Sequence, residues 1–345
     1  MIVLLQAAVG TLLTVSALPV AVASGYLALL ALLARRRTPP PPPPPRLRFD
    51  VVVPAHNEEQ GIASTVTSLL ALDYPRELYR VVVVADNCTD CTAELARRAG
   101  AHVVERHDPA HRGKGYALAH AYALSVEEGL ADAVVVVDAD SVASPNLLAA
   151  MGARFAAGAQ AVQARYGVRN VSSSWRTQLM AIAFACFHDV RSLAREQLGL
   201  SCGLRGNGMA FTRELLQRVP HTAYSVVEDL EYGIQLGYAG VRVAFAGEAH
   251  VLGEMPAWGA ASRTQRDRWE AGRLGVARAH AARLLRAALV RRDRVALDLA
   301  LDLLVPSLST LVIASVTGTA ASALAVRLGY DATPALALWG ASCSR

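Results

Sequence analysis

Charge is what this sequence has least of: Asp, Glu, Lys and Arg make up 18% of its 345 residues, where globular domains carry about 25%. Aromatic residues are also few, at 6%, so Ala, Val and Leu supply most of an apolar content of 53%. That balance excludes a disordered chain, which needs low hydrophobicity and high charge. Five cysteines are too few for a disulfide scaffold. Lysine is almost missing: among 34 basic residues the one lysine is Lys114. Net charge is +5, yet the arginines form no repeating basic face. The excess therefore reads as coding bias, and nucleic acid is not an expected partner. No glycine-rich phosphate turn follows the first strand-like run, which argues against a nicotinamide-binding Rossmann domain. At about 150 residues per domain, the length holds two modules or one large one with ample core.

The missing charge is missing mainly near the two ends. Residues 1–34 contain none, and the run exceeds the ~20 residues that cross a bilayer. Arg35, Arg36 and Arg37 follow at once, which by the positive-inside rule puts the later chain in the cytosol. A cleaved signal peptide would have its basic residues in front, so an anchor in the cytoplasmic (inner) membrane is expected. Pro39 to Pro45 then make residues 35–48 a stiff polyproline spacer of ~20 Å, or a ligand for a proline-binding module. Leu303 to Val326 is again free of charge and follows Arg291, Arg292 and Arg294. Residues 296–328 are read as a second span, with Pro306 and Gly318 tolerated inside it; a buried core helix is the alternative. Residues 329–345 are read as a tail, since Ala332 to Ala341 is too short to return. Between module and span, residues 272–295 place Leu274, Ala277, Leu284 and Ala288 among Arg273, Arg278, Arg283 and Arg286. That spacing suits an amphipathic helix at a membrane surface, although a core-facing helix would look similar.

The remaining module alternates β-branched runs with helical ones. Phe49 to Val53, Val81 to Val84 and Val134 to Val137 are apolar on both faces, and Ala/Leu-rich segments such as Gly61 to Leu72 and Thr92 to Ala99 follow them. The pattern predicts an α/β fold, a mostly parallel sheet covered by helices. Ligands of such sheets sit at the carboxyl ends of the strands. There stand Pro54-Ala55-His56-Asn57-Glu58-Glu59, Asp86-Asn87 and Asp138-Ala139-Asp140. These carboxylates repel one another unless a cation or a donor lies between them. Two aspartates one residue apart can share a hard divalent cation that also bridges a diphosphate, while in loops such pairs also serve as turn formers.

These segments resemble the family 2 glycosyltransferases, over Phe49 to about Arg273. The resemblance implies the GT-A nucleotide-diphospho-sugar fold, a donor-binding half at 49–150 and an acceptor-binding, catalytic half at 151–271. Pro54 and Glu58 look like the opening strand and loop, and Asp86 like the nucleobase-binding aspartate. Arg112-Gly113-Lys114-Gly115 looks like the turn before the donor-facing helix, which makes Lys114 a donor contact. Asp138 and Asp140 match the nucleotide and metal pair, for Mg²⁺ or Mn²⁺. Asp229 in Val227-Glu228-Asp229-Leu230 matches the catalytic base, with Glu228 on the acceptor side. Gly206-Asn207-Gly208 resembles the acceptor-side turn, or is an ordinary turn before a strand. Gln265-Arg266-Asp267-Arg268-Trp269 fits the Gln-x-x-Arg-Trp box of membrane polysaccharide synthases such as cellulose and hyaluronan synthases.

The chemistry of the residues agrees. Inverting transfer needs a base for the acceptor hydroxyl and positive charge for the departing diphosphate. Asp229 can be the base, its pKa raised by Glu228; the alternative is a carboxylate pair at a helix N-terminus. Gln265 and Arg268 lie one helical turn apart and can address one diphosphate. Trp269 offers a plane for a sugar ring, or fills a core. His56 and His250 lack a partner at metal-ligand spacing. Cys88 and Cys91 have redox spacing but no second pair, and read as loop residues. The expected partners are a nucleotide-diphospho-sugar donor, UDP-sugar first, a saccharide or lipid-linked acceptor, and the bilayer. Polymer-exporting relatives carry more spans than two, so a channel would need a homo-oligomer, an export partner or further chain, or is absent. Ser141 stands where cellulose synthases place a histidine. Transfer to a polyprenyl phosphate and an inactive sugar-nucleotide-binding scaffold are the competing readings.

Overall fold

A computed structural model describes residues 2–35, 38–256 and 259–344. For residues 2–5, 259–266 and 344 the description covers the backbone alone. The chain runs α1 (Ile2–Leu33), β1 (Phe49–Ala55), α2 (Ile62–Leu70), β2 (Tyr79–Asp86), α3 (Thr92–Arg98), β3 (His102–Arg106), α4 (Lys114–Glu128), β4 (Ala133–Val136), β5 (Ser141–Ala143), α5 (Leu147–Ala156), β6 (Ala161–Val168), α6 (Trp175–Phe184), α7 (Arg191–Leu198), β7 (Met209–Thr212), α8 (Arg213–Arg218), α9 (Glu228–Tyr238), β8 (Val243–Gly253), α10 (Gly259–Arg291), α11 (Arg294–Leu304), α12 (Leu308–Arg327) and α13 (Thr333–Ser344). It divides into two compact units, residues 34–299 and residues 1–33 with 300–345.

In the larger unit eight strands form one sheet in the order β3-β2-β1-β4-β7-β6-β8-β5. The valine runs supply its parallel half, β1 to β4. They are apolar throughout because both faces are covered. Val51, Val53, Val81, Val83 and Val135 enter one core, with α2 and α5; Val52, Val82, Val84, Val134 and Val136 enter the other, with α4, α8 and α9. Each such side chain contributes roughly 1.5–3 kcal/mol on burial, and a slip of one residue would exchange the two sets. The second half departs from the parallel pattern. β7 runs antiparallel between β4 and β6, and β5 antiparallel beside β8. Because β1, β2 and β4 are parallel, Ala55, Asp86 and the residues after Val136 reach the same edge.

The segment expected to be amphipathic belongs to a longer helix, α10, which ends where Arg292 turns to a φ of 53°. Among its described side chains Val276, Leu284 and Ala288 are buried, whereas Leu274 is exposed. The helix meets α9 where the Tyr238 hydroxyl and His280 Nδ1 lie 3.2 Å apart.

In the smaller unit α1, α12 and α13 pack together. Trp339 is buried with Ala17 and Ala335, and its Nε1 donates to the Leu13 carbonyl at 3.2 Å. Gly318 lies so close that a Cβ there would come within 2.3 Å of the Trp339 ring, the use of a small residue that apolar helix pairs make. Two helices, Gln6–Leu33 and Leu308–Arg327, are long and apolar enough to cross a membrane. The composition of Leu303 to Val326 predicts one helix, but α11 ends at Leu304 and α12 begins at Leu308. Pro306 has no N–H to donate and disfavours a helical residue before it, and Ser307 caps α12 by accepting from Thr310 N. Residues 329–345, read as a tail too short to return, contain the 12-residue helix α13.

Candidate active site

Three loops at the carboxyl edge of the parallel strands are tied together. Asn57 and Asn87 both adopt positive φ, 56° and 50°, which asparagine tolerates better than most side chains. Asn57 Oδ1 accepts from Thr89 N at 2.8 Å, and His56 Nδ1 lies 2.7 Å from the Asp86 carbonyl. Pro54 stays within β1, opposite Val84. The Asp86 carboxylate is buried and already partnered: Arg106, at the end of β3, donates to it at 2.6 Å and Asn87 Nδ2 at 3.1 Å.

Lys114, the first residue of α4, stands at the centre. Its Nζ is 2.5 Å from Asp138 Oδ1, 2.7 Å from the Gly206 carbonyl and 3.8 Å from Glu228 Oε1. Gly206 has a φ of +76°, and a Cβ there would stand 3.4 Å from Asp229 Oδ2 and 3.5 Å from Lys114 Nζ. A glycine thus lets Asp229 and Lys114 approach the same backbone. Glu228 and Asp229 begin α9, where the helix dipole favours negative charge, and Asp229 Oδ1 accepts from Leu230 N at 2.8 Å. Even so, burial pushes the Glu228 carboxyl up to about 7, against the Lys114 charge and with help from Asp229. Burial likewise raises Asp229, against the Leu230 N–H, Lys114 and Arg205. For Lys114 burial favours the neutral amine, but Asp138, Glu228 and Asp229 outweigh it and hold the ammonium above its ordinary value. One ammonium therefore holds together carboxylates from a strand end and a helix start.

A hydrogen-bond chain fixes the Asp138-Ala139-Asp140 turn. Asn207, wholly buried, accepts from Asp138 N at 3.1 Å and donates to Ser141 Oγ at 2.8 Å, and Ser141 Oγ donates to Asp140 Oδ1 at 3.0 Å. Gln163 holds the Asn207 loop, donating to its carbonyl at 2.7 Å and accepting from Arg205 N at 2.9 Å. Desolvation in the cleft raises Asp140, and the Asp138 charge adds to it; Glu58 rises by burial and then by the charges of Asp140 and Asp138. Among the described residues no three His, Cys, Asp or Glu side chains can by themselves hold an ion. Two neighbouring carboxylates with Glu58 facing them fit the other mode, in which substrate phosphates complete the shell of Mg²⁺ or Mn²⁺.

Of the residues expected at the site, the fold thus gathers Glu58, Lys114, Asp138, Asp140, Gly206, Glu228 and Asp229. Arg268 and Trp269 stand exposed on α10, and among the described residues no hydrogen bond or ion pair joins Arg268 to the cluster. The helix α10 approaches the start of α9 through Gly272, where a Cβ would lie 3.1 Å from Val227. The Gln265 side chain lies outside the described residues. The sequence gives no sign of Gln163, Arg106 or Arg205, and shows Asn207 only as the middle of a turn. For Asn207 a signal existed, since an asparagine between two glycines before a strand is placed for a turn with a buried amide. The cysteines, Cys88 and Cys91 included, are free thiols.

A sheet of this order, with an Asp-x-Asp turn at a strand end facing a carboxylate pair at a helix start, defines the class of GT-A glycosyltransferases. The chain belongs to the glycosyltransferase like family 2, whose family model matches residues 44–272. It is 25% identical over 263 residues to the probable glycosyltransferase YdaM of Bacillus subtilis, covering 73% of this chain and 60% of that one. To the beta-monoglucosyldiacylglycerol synthase of Synechocystis it is 29% identical over 231 residues, 64% of this chain and 47% of the other. The chain therefore spans about half to three fifths of these relatives. Among solved structures, the mannosyltransferase PcManGT from Pyrobaculum calidifontis, in complex with GDP-Man and Mn²⁺, matches at a TM-score of 0.62 and 21% identity, covering 98% of this chain and 99% of that one.

Proposed function

We propose that the chain is a membrane-anchored inverting glycosyltransferase that moves a sugar from a nucleoside-diphosphate donor, UDP-sugar first, to a saccharide or lipid-linked acceptor in cell-envelope glycan synthesis. The observation that carries this reading is the Lys114 cluster, which sets the Asp138–Asp140 turn beside Glu228 and Asp229. Asp229 takes the proton of the acceptor hydroxyl as its oxygen attacks the anomeric carbon. The bond to the diphosphate breaks on the opposite face, and its electron pair leaves with the diphosphate. Asp138 and Asp140 would hold Mg²⁺ or Mn²⁺, which supplies positive charge to that leaving group. Lys114 screens the carboxylates from one another and adds a second positive charge. Pro54, Glu58 and Asp86 line the nucleoside end, and Gly206 leaves room on the acceptor side.

The finer placing, near the cellulose and hyaluronan synthase branch, rests on the spacing of Gln265, Arg268 and Trp269 in α10. Placement in the cytoplasmic membrane, with the larger unit in the cytosol, is supported by the two apolar helices and by Arg35 to Arg37 after the first of them. The test is a panel of sugar nucleotides, UDP- and GDP-linked, offered to the full chain with Mg²⁺ or Mn²⁺ and a membrane lipid extract. A product heavier than an acceptor by one sugar supports the reading. Nucleotide release from no donor, under either metal, refutes it.

A further inference from the structure

The helix that starts as α6 does not end at Phe184. Residues Ala185–Val190 form a π-helical turn, and α7 then continues. Such turns are rare, occur mostly as single-turn bulges inside α-helices, and are frequent at functional sites. This one aims Phe187 at three guanidinium groups. The Cζ atoms of Arg191, Arg205 and Arg273 lie 4.2, 5.0 and 5.8 Å from its ring centre. The three come from separate elements, α7, the loop before β7, and α10. Arg195 brings a fourth charge close by, wholly buried and paired with Asp298 at 3.0 Å.

Converging like charges repel, and burying them is costly unless an anion compensates. The ring face returns only ~0.5–2 kcal/mol for each cation. Arg191 and Arg273 have further partners. Arg205 donates from Nη2 to the Cys202 carbonyl at 3.0 Å, while its Nε is buried with no hydrogen-bond partner. Burial, then the Arg195 charge, pulls Arg205 down to about 10, against the Asp229 charge. His188, beside Phe187 on the same turn, is kept neutral by burial and by the charges of Arg205 and Arg191, and its Nδ1 is also unpartnered.

The position of this cluster is informative. Arg205 directly precedes Gly206, and its charge acts on Asp229. The neighbours across the cleft therefore run from Asp140 and Asp138 to Lys114, then Gly206 and Asp229, then Arg205 and the Phe187 ring. Acidic groups suited to a cation and a diphosphate stand at one end, arginines suited to an anion at the other, and Asp229 lies between.

We propose that Arg191, Arg205 and Arg273 around Phe187 form a subsite for a phosphate group carried by the acceptor, and that this subsite sets the acceptor against Asp229. The inference rests on the transferase reading and adds the acceptor's class, a phosphate ester of either soluble or lipid-linked origin. Planar guanidinium forks match phosphate oxygens in pairs.

The test titrates the full chain in detergent with inorganic phosphate, in the presence of saturating UDP and Mn²⁺. Phosphate is expected to bind with UDP in place. Arg205→Gln should weaken it about tenfold or more and leave UDP affinity unchanged. Arg273→Gln, on a different helix, repeats the test should Arg205→Gln fail to fold. Glycerol 3-phosphate against phosphatidate in the same micelles gives the source, the tighter of the two being the acceptor type. Displacement of phosphate by UDP and Mn²⁺, no measurable phosphate binding, or unchanged affinity in both variants overturns the subsite. A chain that binds phosphate but not UDP keeps the subsite and refutes the donor reading.

Discussion

Glu228 gives the prediction most fully determined by the structure. It is 7% exposed, and its carboxyl is raised from 4.5 to about 7, by burial first. In the unfolded chain it titrates near 4.5. Between the two values the folded protein keeps a proton that the unfolded chain has lost, so stability falls as pH rises through this window. Below it neither state is charged, and above about 7 the whole cost is felt. At 1.36 kcal/mol per pH unit the rise corresponds to roughly 3 kcal/mol. Glu228→Gln keeps the shape and removes the titration. Lys114 remains compensated, because Asp138 is nearer, at 2.5 Å against 3.8 Å. Thermal melts of the full chain in detergent should therefore show wild type and variant alike near pH 4. The variant should be the more stable by several degrees near pH 8, at roughly 2 °C per kcal/mol for a chain this large. A gap that is equal at both ends of the range, or a variant less stable near pH 8, would refute the reasoning.

Asn207→Ala leaves the Asp138 N–H without its acceptor, at ~1–3 kcal/mol for an orphaned group, and removes the donor to Ser141 Oγ, which keeps its bond to Asp140; the melting temperature should drop, and Mn²⁺-dependent nucleotide binding should weaken with it. Arg106→Met leaves Asp86 buried without its cation, a loss of about 3 kcal/mol, and adding Asp86→Asn should recover a large part of it in a double-mutant cycle. Asp140→Asn should weaken Mn²⁺ binding at least about tenfold. Because Asp140 and Glu58 both hold protons above the ordinary carboxylate range, wild-type Mn²⁺ affinity, measured by titration in the presence of UDP, should rise as pH climbs past that range.

The parallel half of the sheet and the carboxylates at its edge are legible in the sequence because they depend on local pattern. Val51 to Val53, Val81 to Val84 and Val134 to Val136 are apolar on consecutive residues, and strand ends follow from where each run stops. The second half was not legible, since β6, β7 and β8 combine antiparallel and parallel pairing that is decided across the sheet. The break at Pro306 was visible as chemistry but was outweighed by the absence of charge around it. Lys114, Asp138 and Asp229 stood out by residue type, whereas Asn207, Gln163 and Arg205 owe their roles to partners 42 to 69 positions away. The π turn at Ala185–Val190 has no local signature, and Phe187 matters only through arginines of other elements. The Gln265–Arg268–Trp269 spacing marked a motif, but α10 turns Arg273 rather than Arg268 toward the buried arginines.

In the proposed function Asp229 removes the acceptor proton in a metal-assisted sugar transfer. With the donor identified, turnover of Asp229→Asn against wild type in Mn²⁺ tests it directly. The expected result is a fall in kcat of about 10²- to 10⁴-fold, with donor binding and melting temperature close to wild type. Wild-type turnover in a folded, donor-binding Asp229→Asn would contradict it.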